Sequence, residues 1–378
     1  MPTRLEHGTL RGMTAAPSTD ATPTGDAVPR QAIRLGLIGA GSNMRRRHLP
    51  GFRQCDEVEI VAVANRTRES AAAFASEFGI PTVCESAQEL IDCDNVDAVV
   101  IGSYPNTHCE FTLAALAADK HVLCEARMAA SLEEARRMRA AAKDRKDLVT
   151  QLVPAPQGLA LRRRVGELVR DHYIGDLREI VVTAADDQFW DFSQPVHWRQ
   201  LTTLSGVNTL KLGIMHEIVM PWLPDPERVY ASQQLFEPNR PDPEAGEYRD
   251  VDVPDWVAAL VEFKNGVRGI YRINGVSLFG PGCRIELYGS RGTLVIDLGD
   301  EERVLGGRIG DDRLAPLAIE PTEEDGWRVE QDFIAAIRNE RKVTRTTFAD
   351  GVRYMEFTEA VLRSSQSGEA VDFPIDRL

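Results

Sequence analysis

From residue 33 onward, short apolar runs alternate with segments whose apolar residues recur at helical spacing. The apolar runs read IRLGLIG, VEIVAVAN, DAVVIGS, HVLCE and LVTQLV. Strands that are apolar throughout and separated by helices are typical of a parallel sheet covered on both faces. The pattern therefore predicts a doubly wound α/β domain over residues 32–152.

The alternation of strands and helices ends after LVPAPQG, where strand patterns follow one another in hairpins. They read EIVVTAADDQF, RVYASQQLF, WVAALVEFKNGVRGIYRING and CRIELYGSRGTLVIDL. Helical patterns lie at 158–171, 208–220, 327–339 and 349–366. This succession predicts an α+β domain with a large, mostly antiparallel open sheet over residues 153–378. It leaves open whether the last helix packs back on the first domain.

Composition narrows the class of protein. The 378 residues carry a net charge of −14, which argues against a nucleic-acid partner, because phosphate contacts need a basic face. No apolar run has membrane-spanning length, and the histidines show no metal-ligand spacing. Six scattered cysteines favour a reducing compartment. Residues 1–31, rich in Pro, Thr and Ala, are predicted to be a disordered tail rather than a signal peptide, so we expect a cytoplasmic protein.

A glycine-rich turn follows the first predicted strand in LGLIGAGSNM. Gly39 would permit the tight turn, and Gly41 would let a pyrophosphate approach the backbone near Ser42 and Asn43. The third glycine of the dinucleotide fingerprint is replaced by Met44. The position between strand and helix still predicts dinucleotide binding, with a ligand-free turn as the alternative.

The end of the second strand bears on the choice of cofactor. NAD-binding domains usually carry an acid there, whereas this chain has Asn65, Arg66 and Thr67. A neutral amide does not repel a 2′-phosphate, and the next two side chains can donate to it. These residues favour NADP, with NAD possible. In the alternative, Arg66 is simply a solvated residue at the start of a helix.

A charged side chain also ends the strand HVLCE. Glu125 stands where the apolar residues stop, and the carboxyl edge of an open parallel sheet usually faces a ligand crevice. It is therefore a candidate for binding ribose hydroxyls. The alternative is a helix-capping or surface-paired carboxylate.

Three motifs together resemble the glucose–fructose oxidoreductase/inositol dehydrogenase (Gfo/Idh/MocA) family. They are GAGSNMRRRHLPGF, DAVVIGSYPNTHCEFTLAALAADKHVLCEA and HWRQ…SGVNTLKLGIMHE. The resemblance implies a Rossmann domain, a nicotinamide cofactor, and a sugar, cyclitol or related polyol substrate. It also implies a homodimer or homotetramer formed through the open sheet face.

The resemblance further assigns residues to the cofactor. The loop after the fourth strand and a Trp-Arg pair from the second domain match family positions beside the nicotinamide end. In this chain they are Ser103, Tyr104, Pro105, Asn106, His108, Trp198 and Arg199. Glu125 matches the family acid that contacts the nicotinamide ribose.

The chain departs from the family at the acid/base positions. Where the family has Glu-Lys-Pro, this chain has Glu125-Ala126-Arg127, and the family Asp-x-Gly-x-His motif aligns with residues 211–215. We expect Lys211 to replace the missing lysine, with a proton affinity lowered by partial desolvation; the alternative is a solvated lysine on an exposed helix face. Arg127 is expected to orient an anionic or carbonyl substrate, because its guanidinium cannot exchange protons near neutral pH; in the alternative it pairs with a surface acid such as Glu133.

Helical spacing predicts further pocket residues. Positions 208, 211, 212 and 215 share one helix face, so Asn208 and Met215 are expected to line the substrate pocket with Lys211. His216 is a weaker candidate for catalysis, since it lies beyond that face.

Three functions remain open at this stage. The first is an NADP-dependent dehydrogenase or reductase of a polyol-like substrate. The second keeps the cofactor bound for a transient oxidation that assists elimination or glycoside cleavage. The third is a non-catalytic regulatory protein that binds the cofactor.

Overall fold

The computed structural model describes residues 31–299, 301–320, 322 and 325–375. The predicted tail, apart from Gln31, lies outside these residues. The strands are β1 (Ile33–Ile38), β2 (Val58–Ala64), β3 (Thr82–Val83), β4 (Ala98–Ile101), β5 (His121–Cys124), β6 (Thr150–Leu152), β7 (Leu177–Ala185), β8 (Pro226–Gln234), β9 (Asn239–Asp242), β10 (Glu247–Asp250), β11 (Trp256–Phe263), β12 (Arg268–Asn274), β13 (Gly282–Gly289), β14 (Gly292–Asp297), β15 (Arg303–Arg308), β16 (Ala315–Pro316) and β17 (Val371–Asp372).

The α-helices are α1 (Leu49–Phe52), α2 (Arg68–Phe78), α3 (Ala87–Ile91), α4 (Pro105–Ala117), α5 (Leu132–Asp144), α6 (Leu159–Arg170), α7 (Thr202–Ser205), α8 (Leu212–Val219), α9 (Val329–Ile337) and α10 (Phe348–Ser367). A π-helical segment, Met44–His48, leads into α1, and short 3₁₀ turns occur at Trp198–Gln200, Met220–Trp222 and Lys264–Gly266.

The first sheet is fully parallel, with strand order β3-β2-β1-β4-β5-β6. Its central strands are buried along their length; β4, for example, has four buried residues in four. Successive strands are added on one side of β1 up to β3 and on its other side from β4 onward, so the strand order reverses between β1 and β4. Ligands of open α/β sheets bind at the carboxyl ends of the strands at such a switch point. The predicted doubly wound fold is confirmed.

The second sheet has nine strands in the order β16-β15-β14-β13-β7-β12-β11-β8-β17. Neighbouring strands are antiparallel except β7 and β12, which run parallel. The turn between β11 and β12 contains Asn265 and Gly266, both with positive φ (69° and 82°), as a tight hairpin requires. The prediction of a mostly antiparallel sheet domain is confirmed.

One face of the second sheet carries exposed apolar side chains. Leu260 on β11 lies opposite Tyr230 on β8 and Ile270 on β12, so the three form a row across neighbouring strands. Their exposed fractions are 57%, 49% and 40%. We call these three residues the open-face row.

The last part of the chain returns to the first sheet. Val329, Phe333 and Ile334 of α9 belong to the same core as Leu35 and Leu37 of β1. The long helix α10 contacts α5 and β6 of the first domain as well as β8 of the second sheet. Both sheets are therefore covered in part by C-terminal helices.

The helix predicted at 208–220 begins later, at Leu212. Gly206 (φ 62°) and Leu210 (φ 46°) have left-handed backbone conformations, which interrupt a right-handed helix. A Cβ on Gly206 would lie 1.9 Å from the carbonyl oxygen of Ala130, so the chain passes closer to that loop than any other residue type allows. Residues 206–211 therefore form an irregular approach to α8.

Among the described residues, no helix is long and apolar enough to cross a membrane.

Candidate active site

A cleft of about 780 Å³ lies at the carboxyl edge of the first sheet and is closed on its other side by the second domain. Eleven of the residues predicted for the site line it: Gly41, Ser42, Asn43, Ser103, Tyr104, Pro105, Glu125, Arg127, Trp198, Arg199 and Lys211. The cleft therefore brings together residues from the glycine loop, the ends of β4 and β5, and the second domain.

The glycine loop has the shape that a dinucleotide needs. Gly39 has φ 73°, and a Cβ there would lie 2.5 Å from the backbone nitrogen of Ser103. A Cβ on Gly41 would meet nothing closer than the Gly39 carbonyl oxygen at 4.0 Å, so this backbone is open to the cleft. These two features allow a pyrophosphate to approach the peptide groups. The residues present thus fit a bound nicotinamide dinucleotide.

The π-helical segment turns His48 into the interior. In a π-helix the hydrogen bonds span one more residue than in an α-helix, and such segments are frequent at functional sites. The buried His48 ring lies between two carboxylates, with Nε2 2.8 Å from Glu125 Oε1 and Nδ1 2.6 Å from Glu330 Oε1. Trp327, which lines the cleft, also donates its indole N–H to Glu330.

This cluster fixes the charge of Glu125. Burial alone would lower the pKa of His48, but hydrogen bonds to Glu125 and Glu330 outweigh it and raise the pKa to about 9. Burial would raise the pKa of Glu125, but the hydrogen bond and charge of His48 and the amide of Asn43 lower it. At neutral pH His48 is therefore an imidazolium that hydrogen-bonds to Glu125 and Glu330, and Glu125 is ionised at the cleft surface.

The loop after β4 is supported from behind by a histidine. His108 is completely buried, with Nδ1 2.9 Å from the Arg127 carbonyl oxygen and Nε2 3.1 Å from that of Ser103. Burial lowers its pKa although both carbonyls oppose this shift, so a neutral ring donates to only one of them. His108 and the exposed Asn106 lie outside the cleft lining, which places them behind the predicted cofactor positions rather than at them.

Arg127 occupies the wall of the cleft next to α8. It is 4% exposed, and a Cβ on Gly213 in the first turn of α8 would lie 3.5 Å from its Cδ. Its Nε and Nη2 atoms are buried and have no hydrogen-bond partner in the described part of the chain. Burial, together with the nearby charge of Arg199, lowers the pKa of Arg127 to about 9.

The Trp-Arg pair reaches the same space from the second domain. The Arg199 guanidinium carbon lies 4.3 Å from the centre of the Trp198 ring, and that ring is 5.1 Å from Tyr104. Burial lowers the pKa of Arg199, an effect that the charge of Glu125 opposes. The neighbouring His197 is neutral near pH 7, because burial and Arg199 lower its pKa to about 4.

Lys211 lies in the cleft as predicted, but its protonation differs from the expectation. Its Nζ is 2.5 Å from Asp186 Oδ2, just past the end of β7, and 3.8 Å from Cys283 Sγ. Burial would lower the pKa of Lys211, but the hydrogen bond to Asp186 outweighs it, so the pKa is raised. The expectation of a lowered proton affinity overlooked this carboxylate.

Two residues predicted beside Lys211 lie elsewhere. Asn208 precedes α8 and is fully buried; its side-chain amide donates to the carbonyl of Ala129, on the loop after Arg127, at 2.8 Å. Met215 is a core residue at 1% exposure. The shared helix face fails as an argument because α8 starts only at Leu212. Asn208 and Met215 do not line the cleft.

His216 is also a packing residue rather than a catalytic one. Its ring stacks on Phe357 with centroids 3.7 Å apart, and its Nδ1 lies 2.9 Å from the Tyr271 hydroxyl. Burial and the charge of Arg353 lower its pKa to about 3, which keeps it neutral.

The residues after β2 have local roles. The side-chain oxygen of Asn65 accepts a hydrogen bond from the Ala40 N–H at 2.7 Å and so braces the glycine loop. Thr67 caps α2. The Arg66 side chain is 74% exposed and lies 3.7 Å from Glu244 on the β9–β10 turn. Of the three, only Arg66 is charged, and its guanidinium remains largely exposed beside Glu244.

The sequence argument missed Asp186, His48 and Glu330. Asp186 directly follows an apolar strand, as Glu125 does, so the rule that singled out Glu125 could have found it. His48 carries no such signal, because its inward orientation depends on the π-helical segment. Glu330 lies 282 residues from His48, and their pairing is visible only in the fold.

In the part of the chain that the structure describes, no group of three or more His, Cys, Asp or Glu residues could hold a metal ion.

Fold and cleft together define a dinucleotide-binding Rossmann protein with a second, sheet-based domain that completes the site. The profile of the "oxidoreductase family, NAD-binding Rossmann fold" matches residues 33–152, and that of the "GFO/IDH/MocA C-terminal domain" matches residues 162–295. The chain belongs to the Gfo/Idh/MocA family.

Curated relatives include sugar reductases and a cyclitol dehydrogenase. The chain is 41% identical over 111 residues to 1,5-anhydro-D-fructose reductase of Ensifer adhaerens, covering 29% of this chain and 33% of the reductase. It is 25% identical to myo-inositol 2-dehydrogenase of Thermotoga maritima, covering 70% of this chain and 75% of that enzyme. The chain spans between about a third and about half of the length of the sugar reductases it matches.

Solved structures share the fold. Levoglucosan dehydrogenase in complex with NADH and L-sorbose superposes with a TM-score of 0.79 at 23% identity, covering 91% of this chain and all of that one.

Proposed function

We propose that the protein is an NAD(P)-dependent oxidoreductase that transfers a hydride to or from a sugar, cyclitol or related polyol. The observation that carries this proposal is the Lys211–Asp186 pair, which lines the same cleft as the glycine loop and Glu125. A protonated amine beside a dinucleotide site supplies what the hydride step lacks, a proton for the substrate oxygen.

The roles of the side chains follow from their positions. When bound, the nicotinamide supplies or accepts the hydride. Glu125, held ionised by His48, accepts hydrogen bonds from the ribose hydroxyls. In the direction of reduction, Lys211 donates a proton to the substrate oxygen and is reprotonated from solvent; in oxidation, its amine takes that proton. Asp186 keeps Lys211 protonated and oriented.

A turnover assay tests this function. We expect absorbance at 340 nm to change when the protein is mixed with NADPH or NADP⁺ and a panel of keto-sugars, cyclitols and aldoses. Cofactor binding without turnover on any member of the panel would instead favour the regulatory alternative. Release of cleaved or dehydrated sugar without net change in cofactor would favour the transient-oxidation alternative.

For the cofactor, we propose a preference for NADPH. No acid follows β2, and the exposed Arg66 can donate charge-assisted hydrogen bonds to a 2′-phosphate, so NADPH should bind more tightly than NADH by about 1–2 kcal/mol. Fluorescence titration of both cofactors measures this difference. The Arg66→Ala variant should lose it.

The matched control is Arg68→Ala. Arg68 lies two residues further on and already forms an ion pair with Glu85, so the NADPH/NADH ratio should stay at the wild-type value. Equal affinities of the wild-type protein for both cofactors would refute the preference.

For assembly, we propose a homodimer or homotetramer formed through the second sheet. The open-face row supports this, since it places three large apolar side chains side by side on an uncovered sheet face. Sedimentation velocity tests the assembly, which a monomeric mass would exclude.

The six unpaired thiols support our proposal of a cytoplasmic location, which microscopy of the tagged protein would check.

A further inference from the structure

Four arginines line the cleft, Arg46, Arg47, Arg127 and Arg199, and none of them forms an ion pair within the described residues. Arg127 differs from the other three because it is buried, at 4% exposure, and its Nε and Nη2 have no hydrogen-bond partner there. A buried guanidinium whose donors lack acceptors is strongly unfavourable unless a ligand compensates its charge.

Two other charged groups of the cleft already have partners. Lys211 is paired with Asp186 at 2.5 Å, and Glu125 is paired with His48 at 2.8 Å. The positive charge of the buried Arg127 therefore remains without a counterion within the described residues.

The position of Arg127 separates this excess charge from the cofactor phosphates. The pyrophosphate belongs at Gly41 and Ser42, on the glycine loop. Arg127 instead packs against Gly213 in the first turn of α8, where the second domain closes the cleft. An anion that meets Arg127 there comes from the substrate.

Two further features suit an anion at this wall. The first turn of α8 has no side-chain cap, and Lys211 and Ile214 at its start line the cleft. Uncapped N–H groups at a helix start favour negative charge. On Arg127, Nε and Nη2 form one edge of the guanidinium that is enclosed by protein and has no acceptor in the described part of the chain, so the protein leaves this charge without a counterion, and a guanidinium donates well to a carboxylate or phosphate.

We infer that the substrate carries a carboxylate or phosphate group, which Arg127 and Arg199 hold at the α8 wall of the cleft. This inference rests on the proposed oxidoreductase function, and it narrows the substrate to acidic or phosphorylated sugars and polyols.

Calorimetric titration of the NADPH-saturated protein tests the inference. The ligands are matched sets that differ only in charge: glucose, glucuronate and glucose 6-phosphate, and galactose, galacturonate and galactose 6-phosphate. We expect at least one anionic member to bind tenfold or more tightly than its neutral counterpart. The carboxylate and phosphate arms show which of the two groups is recognised.

Variants assign the effect to Arg127. Arg127→Met should remove the preference for the anion while binding of the neutral sugar stays within about threefold. Arg127→Lys should retain part of it, because a point charge replaces the two-pronged contact. Arg163→Met is the matched control, since Arg163 pairs with Glu167 and Asp325 outside the cleft lining. Thermal melting confirms that each variant is folded.

Two results would overturn the inference: no anionic ligand with a tenfold advantage in the wild-type protein, or an unchanged advantage in Arg127→Met. Failure of the oxidoreductase proposal is distinguishable, because it would show as anion-selective binding without turnover.

Discussion

Replacing Lys211 by Met should lower turnover by roughly 10²–10⁴-fold, the range that a positioned acid/base contributes. Affinity for NADPH should stay at the wild-type value, because Lys211 lies at the α8 side of the cleft rather than on the glycine loop. Steady-state kinetics and cofactor titration measure the two effects separately. Methionine has nearly the same length as lysine, so the change removes charge with little loss of volume.

A pH profile separates a proton-transfer role from mere packing. Since the pKa of Lys211 is raised, the wild-type amine stays protonated through neutral pH, so the reduction rate should be flat there and the oxidation rate should rise with pH. Asp186→Asn removes the group that raises this pKa and should shift the oxidation profile to lower pH. Lys264→Met is the control, because Lys264 also faces an aspartate, Asp225, but outside the cleft. Near-wild-type turnover of Lys211→Met would refute the role.

The second large effect is on stability and concerns His48. Its pKa of about 9 in the folded protein lies above the ordinary value of 6.5. Protonation therefore stabilises the fold fully below pH 6.5, and this contribution, about 3 kcal/mol, is lost as the pH rises through 9. His48→Gln should cost about 3–5 kcal/mol near neutral pH, because Glu125 and the buried Glu330 lose the cation that hydrogen-bonds to both of them.

Urea unfolding at pH 6.5 and pH 9 measures this dependence. The difference in unfolding free energy between wild type and His48→Gln should narrow at the higher pH. The control His172→Gln alters an exposed histidine and should follow the wild type at both values. A difference that does not depend on pH would contradict the assignment of an imidazolium to His48.

Much of the fold could be predicted because apolar patterns report burial directly. The mostly apolar β1, β4 and β5 mark the parallel sheet, and the residues that end or follow them mark the cleft. The placement of Glu125 at the cleft followed from this rule alone. The same rule could have placed Asp186 at the cleft. Its role there becomes clear only from the fold, in which its carboxylate contacts Lys211.

What could not be predicted depends on backbone geometry and on long-range contacts. Because Gly206 and Leu210 have left-handed conformations, α8 begins only at Leu212. Asn208 therefore lies before the helix and not on the helix face that was predicted for it. The pocket argument used helical spacing over residues that are not helical. Glu330 joins the site only because α9 returns to the first sheet.

That return of α9 also determines the order in which the first domain is completed. Residues 32–152 leave the ribosome well before Val329, Phe333 and Ile334, which share a core with β1. Until the C-terminal segment emerges, this part of the sheet exposes apolar side chains, and such partly finished surfaces favour association with other chains. During synthesis, the dinucleotide-binding half therefore depends on the end of the chain to cover it.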